Sequence, residues 1–138
     1  PFQPREHLPQ MLAAADVGLV VQKKNVISFN MPSKIQLLLA SGRALVGSVP
    51  GHGTAARAIK QSGGGLVIPP EDPQALAKGI LDLYNHPEKV KTFGYKSRQF
   101  AVEQYAFEQA LNQYESLFYS LTAERSAIEP VVVSKQEV

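Results

Sequence analysis

The chain contains no cysteine among its 138 residues. That excludes disulfides and thiolate-bound metals, and it fits a reducing, cytoplasmic setting. Histidine is scarce as well. His7, His52 and His86 lie too far apart for metal-ligand spacing, so no metal site is expected. No apolar run approaches the roughly 20 residues of a membrane span, and no leader-like stretch opens the sequence. Carboxylates are few in the first half, where up to Pro70 only Glu6 and Asp16 face Arg5, Lys23, Lys24, Lys34, Arg43, Arg57 and Lys60. This leaves +5 there and −3 in the remainder of a chain whose net charge is +2. Such a bias suits an anionic ligand on the first half, although ordinary solvated lysines would read the same way. Nucleic acid fits poorly, because the basic residues are scattered and lack aromatic interleaving. There is also no Ser/His/Asp order, no carboxylate pair and no metal constellation, so the sequence identifies no catalytic residue.

What is present is an ordinary globular composition, 44% apolar and 19% charged, long enough to bury a core. The first residues are Pro1-Phe2 rather than methionine, which predicts a piece of a longer or processed protein. Arg5 to Ala15 reads as a helix with Leu8, Met11, Leu12 and Ala15 at helical spacing and Pro9 in its first turn. Val17-Gly18-Leu19-Val20-Val21 is a continuous apolar run, as expected of a parallel strand buried on both faces. A second such strand covers Ala44 to Val49 and a third Leu66 to Ile68. Helices are expected at Ala55 to Gln61 and after Asp72-Pro73, with Asp72 as N-cap and Pro73 at the first helical position. The latter helix should bury Leu76, Ile80, Leu81 and Tyr84. Strand and helix alternate three times at the cadence of βαβ units, which predicts a parallel α/β sheet.

Two further helices are expected, about Glu88 to Gln104 and Phe107 to Leu121. The second carries Phe107, Leu111, Tyr114, Phe118 and Leu121 as an amphipathic stripe that must cover its own sheet or a partner domain. From 122 to 138 the periodicity disappears, so residues 1–121 are expected to fold and 122–138 to form a flexible tail, with Val131 to Val133 a weak strand candidate.

Asn30 to Gly42 organises the rest. Ser33 reads as an N-cap with Gln36 at capping-box spacing, Ile35 and Leu37 to Ala40 make a nearly all-apolar helix, and Gly42 supplies a left-handed stop. Free N–H groups and the helix dipole at its amino end, with Lys34 beside them, form a candidate phosphate site. Ligands of open parallel sheets sit beyond the carboxyl ends of the strands. The loops there are Gln22 to Met31, Pro50 to Thr54 and Pro69 to Pro73. Gly51 and Gly53 would let backbone approach an anion and Thr54 could add a hydroxyl, with His52 between them; a plain turn explains the same residues.

Several blocks in order resemble a known family: Ala14-Ala15-Asp16-Val17-Gly18-Leu19, Pro32-Ser33-Lys34, Leu39-Ala40-Ser41-Gly42-Arg43, Gly63 to Pro70, and Asp72 to Ala77. Together they resemble the C-terminal part of the family 4 glycosyltransferases, the retaining group 1 enzymes of GT-B fold, with bacterial exopolysaccharide and colanic-acid-type transferases most alike. The resemblance spans about Pro1 to Leu121. It implies the later half of a Rossmann-like, nucleotide-sugar-binding domain in an enzyme that transfers sugar to a glycan or lipid-linked acceptor. The nucleotide-sugar is then a substrate, and no cofactor is implied. It further implies an N-terminal domain and the first units of the C-terminal domain outside this sequence, an inactive isolated piece, a final helix packing on the N-terminal domain, and a cytoplasmic parent at the inner membrane face. Donor diphosphate is expected at Asn30, Met31, Pro32, Ser33 and Lys34, with Gly51, His52, Gly53, Thr54, Gln36 and Leu37 in the donor cleft. The family's two glutamates eight positions apart correspond to Phe29 and Leu37 here, and neither can accept a hydroxyl hydrogen bond through its side chain. That departure also admits a non-catalytic nucleotide-binding or scaffolding module of the same fold.

Overall fold

The computed structural model describes residues 3–26, 29 and 31–126. Contacts divide the chain into two compact units, Pro1–Tyr105 and Ala106–Val138. The first is built on three parallel strands, β1 (Val17–Val21), β2 (Ala44–Ser48) and β3 (Gly65–Ile68), in the order β1-β2-β3. Parallel neighbours need long crossovers. Helix α2 (Ser33–Ala40) carries the chain from β1 to β2, and α3 (Thr54–Ser62) from β2 to β3. A 3₁₀ turn at Arg5–His7 leads into α1 (Leu8–Ala13) ahead of β1, whereas α4 (Pro73–Asn85) and α5 (Pro87–Tyr105) follow β3. The architecture is an open, Rossmann-like α/β sheet with flanking helices.

The core lies on both faces of this sheet. On one, Val20 and Leu45 meet Ile35, Leu38 and Leu39 of α2, Ile59 of α3 and Ala101 of α5. On the other, Val46 and Ile68 meet Leu83 of α4, with Leu76, Val90 and Phe93 at the margin. Asp72 caps α4 as expected, its Oδ1 accepting from the Ala75 N–H at 2.9 Å.

Two expectations about burial fail, and the second face of the sheet is only partly covered. Helix α4 packs on β2 and β3. In β1, Val20 is 4% exposed whereas Leu19 and Val21 are 38% and 64% exposed, so this strand is buried on one face rather than two. Helix α4 is also rotated relative to the expected stripe. Leu76 and Leu83 turn to the sheet, while Ile80, Leu81 and Tyr84 stay exposed. Gly79 sets that rotation by lying against Ile68, where a Cβ would come within 2.6 Å of the Ile68 Cδ1.

Helix α5 closes the amino ends of the strands with a row of small residues. Gly94, Ser97 and Ala101 are its buried positions, three and four apart. The Ser97 hydroxyl donates to the Gly64 carbonyl at 3.3 Å, and Arg98 Nη1 donates to the Ala40 carbonyl at the end of α2 at 2.7 Å. Gly42 adopts the expected left-handed stop, with φ +67°.

In the second unit, α6 spans Phe107–Ser126 and so continues past Leu121. The rest of the expected tail, Val131 to Val133 included, lies outside the described residues. Phe107, Leu111, Tyr114, Phe118 and Leu121 are exposed, and the Tyr114 and Phe118 rings stack at 6.5 Å.

Two glycines test this packing. Alanine normally stabilises a helix relative to glycine by about 1 kcal/mol. In Gly94→Ala the new Cβ would lie 2.5 Å from the Gly42 carbonyl oxygen, so the sign should reverse, and urea denaturation should show a loss. Gly65→Ala would press a Cβ onto the Leu45 carbonyl and should cost about 2 kcal/mol or more by the same measurement.

A pH test follows from α4. Lys89 donates to the Asp82 carboxylate, and this bond, followed by the charges of Lys89 and His86, lowers the Asp82 pKa from its ordinary value. A depressed carboxylate adds stability that is complete above its unfolded pKa of about 3.9 and lost as pH falls through the folded value. The group is exposed, so the increment is small and salt-sensitive. Thermal unfolding of Asp82→Asn should fall slightly below the parent at neutral pH and converge with it in acid; a gap that persists in acid refutes the account.

Candidate functional site

The carboxyl ends of the three strands lie side by side and are tied together by main-chain bonds. Gln22 N–H donates to the Ser48 carbonyl at 2.9 Å, and Val49 N–H donates to the Ile68 carbonyl at 3.1 Å. The buried Ser48 hydroxyl reaches the Pro69 carbonyl at 3.2 Å. The loops after β1, β2 and β3 therefore emerge from one edge, the place where open parallel sheets bind ligands.

At this edge α2 begins at Ser33, with Pro32 rather than Ser33 as its N-cap. Among the described residues no side chain caps the helix, and the expected capping box of Ser33 with Gln36 does not form. Proline has no side-chain acceptor to offer, and Ile35 N–H turns back to the Pro32 carbonyl at 3.0 Å. The N–H groups of Ser33 and Lys34 are left without an acceptor among the described residues. Both residues are exposed, while Met31 and Pro32 are half-buried. An exposed helix start with no described cap and a lysine in its first turn suits an anion. Asn30 lies outside the described residues.

Further along α2 the expected all-round burial gives way to a single buried side. Ile35, Leu38 and Leu39 are buried, whereas Gln36 is exposed and Leu37 is 37% exposed. Leu37 borders an apolar groove of about 390 Å³ together with Leu8, Leu12 and Ala40. Phe29 is 75% exposed.

The loop after β2 forms a separate wall. Gly53 is buried at the N-cap of α3, Gly51 and His52 are exposed, and Gly53 N–H closes the turn onto the Pro50 carbonyl at 3.0 Å. Lys60 folds back from α3 to donate to the Gly51 carbonyl at 3.1 Å. With Arg57 it lines a cleft of about 290 Å³ beside His52. The Thr54 hydroxyl is closed off from solvent and has no hydrogen-bond partner among the described residues. Arg57 and Lys60 were not among the expected site residues. Their i, i+3 spacing on a helix that opens at Gly53 is the signal that could have found them.

The loop after β3 supplies a carboxylate, Glu71, that no motif in the sequence marks. Glu71 has φ +60°, and among the described residues no other non-glycine residue has positive φ. Its Oε1 accepts the Lys24 N–H at 3.3 Å, joining the first loop to the third across the end of β2. Among the described residues no group of His, Asp and Glu could hold a metal, and no helix is long and apolar enough to cross a membrane.

No protein-family model and no curated protein matches the chain. Among solved structures it is similar to a sucrose-phosphate synthase from Thermosynechococcus elongatus, with a TM-score of 0.66 and 23% identity over 86% of this chain. The match takes up 28% of that chain, so this sequence spans less than a third of its structural relative. What the two share is the fold, an open parallel α/β sheet with flanking helices.

The left-handed backbone at Glu71 carries a strain of roughly 1–2 kcal/mol, against one exposed hydrogen bond. Glu71→Gly should therefore leave stability unchanged or raise it by up to about 1 kcal/mol in urea denaturation. A clear loss would show that the bond to Lys24 outweighs the strain.

Proposed function

We propose that this chain is the donor-binding part of a glycosyltransferase that moves sugar from a nucleotide-sugar to a glycan or lipid-linked acceptor. One observation carries the reading: α2 opens at the carboxyl edge of the sheet with no side-chain cap among the described residues, and Lys34 stands in its first turn. The fold shared with a sucrose-phosphate synthase supports it. Met31 to Lys34, with Asn30, would hold the donor diphosphate, and Gly51 to Thr54 with Arg57 and Lys60 would form a second basic wall. As the glycosidic bond breaks, negative charge grows on the leaving diphosphate. N–H groups and an ammonium held at that position would lower the barrier without reorganising. The remaining active-site groups belong to an N-terminal domain outside this sequence, which the apolar stripe of α6 would help to hold. The ordered sequence blocks favour family 4 and a bacterial exopolysaccharide enzyme of colanic-acid type, working in the cytoplasm at the inner face of the membrane.

A second reading, a non-catalytic module of the same fold, is favoured by Phe29 and Leu37. Leu37 borders an apolar groove, and neither side chain can accept a bond from a sugar hydroxyl. Calorimetry with UDP and GDP on the full-length parent separates the cases, since a scaffold that binds neither has lost the donor site.

In that assay Lys34→Ala should weaken diphosphate binding roughly fivefold, the equivalent of about 1 kcal/mol. The deficit should shrink as salt is added. Unchanged affinity would remove Lys34 from the site. Residues 1–138 alone should show no glycosyl transfer, and turnover by them would overturn the two-domain reading.

A further inference from the structure

The amino ends of the strands carry a second cluster of charge, on the edge away from the proposed donor site. Between the starts of β1 and β2 and helix α5 lies a cavity of about 290 Å³, lined by Asp16, Gly42, Arg43, Lys91, Gly94 and Tyr95. That is space for roughly ten waters, and Gly42 and Gly94 contribute no side chain to fill it. Arg43 is half-buried, and its Nη1 donates to the Ala15 carbonyl at 2.9 Å. Its Nε is closed off from solvent and has no hydrogen-bond partner among the described residues. Among those residues no carboxylate pairs with Arg43 or Lys91, and the Asp16 carboxylate pairs with no cation. Three charged side chains thus line one cavity without neutralising one another. A half-buried guanidinium with a single carbonyl partner is undercompensated, since charge taken out of water costs free energy unless it is paired.

We infer that this cavity binds a small hydroxylated phosphate. The phosphate would sit between Arg43 and Lys91, whose fork and ammonium supply charge-assisted bonds, with the Tyr95 hydroxyl as a third donor. Asp16 selects the rest of the ligand. A carboxylate repels a bare anion, so the occupant must bring a donor to it, and a hydroxyl group does so while the phosphate stays on the cations. Strands β1 and β2 are five residues long, which puts the cavity roughly 15 Å from the carboxyl edge where α2 opens. The site is therefore separate from the proposed donor cleft and does not depend on that reading. Its position gives binding a consequence. A ligand held by Asp16 and Arg43 on one side and by Lys91 and Tyr95 on the other ties α5 to the starts of β1 and β2, next to the contact of Gly94 with the Gly42 turn.

Calorimetry on the full-length parent with glycerol 3-phosphate, inorganic phosphate and glycerol tests this. Glycerol 3-phosphate should bind, and more tightly than inorganic phosphate, whereas glycerol should not bind. Its affinity should fall roughly tenfold in Lys91→Ala and by a smaller factor in Tyr95→Phe. Both positions are exposed, so neither change disturbs the core. Asp16→Ala should narrow the preference over inorganic phosphate by tightening the binding of the latter. Saturating glycerol 3-phosphate should also raise the Tm of the parent, and that rise should be lost in Lys91→Ala at the same concentration. Failure of glycerol 3-phosphate to bind, or equal affinity in the parent and in Lys91→Ala, would overturn the inference. So would binding that Lys34→Ala weakens and Lys91→Ala does not, which would place the phosphate at the start of α2 instead. Binding that depends on Lys91 in a parent that takes up neither UDP nor GDP would sink the donor reading and leave this site standing.

Discussion

The fold depends on the close passage of α5 across the amino ends of β2 and β3. Gly94 lies against the Gly42 turn and Ser97 against the Gly64 turn, each where a larger residue would collide. That contact stacks two turns under one helix, and with them the strands they begin. The strands are only four and five residues long, too short to hold their register by ladder bonds alone. Side chains on α5 finish the joint: Arg98 satisfies a carbonyl at the end of α2, and Ser97 satisfies one before β3. The opposite edge of the sheet is thereby free of structural duty. Among the described residues, a helix start without a side-chain cap, a left-handed glutamate and a buried hydroxyl without a partner are found there.

Much of this architecture was legible in the residues. The apolar runs at Val17, Ala44 and Leu66 marked three strands, and glycines and Asp72-Pro73 marked where helices stop and start. Those signals are local, set by backbone sterics and capping, so they survive without tertiary information. The rotation of α4 was not legible. Leu76, Ile80 and Tyr84 make a good stripe by spacing, yet Gly79 turns the helix because its missing side chain lets it lie against Ile68. Hydrophobic periodicity shows that a face exists, and close packing decides which one is used. The bare face of β1 escaped notice for a related reason. An apolar run reports what a strand is suited to contact, regardless of whether the contact lies in the same stretch of chain.

The candidate site was half legible. The start of α2 could be placed from Pro32, Ser33 and Lys34, although the capping box read from Ser33 and Gln36 does not form because the helix starts one residue earlier, with Pro32 at its N-cap. Glu71 could not be picked out, since nothing in Pro-Pro-Glu-Asp-Pro distinguishes a left-handed residue from an ordinary turn residue. Arg57 and Lys60 belong to the loop after β2 through a helix folding back on its own start, a relation that becomes plain only in three dimensions.

The α5 joint also bears on the order in which the molecule can be made. Its bonds span long stretches of chain: Ser97 reaches back 33 residues to Gly64, and Arg98 reaches back 58 to Ala40. Strands β1 to β3 leave the ribosome before their amino-terminal turns have anything to rest on. During synthesis the sheet would wait, with short strands and apolar faces open, until α5 arrives. Such non-local closure slows folding and leaves the intermediate prone to association.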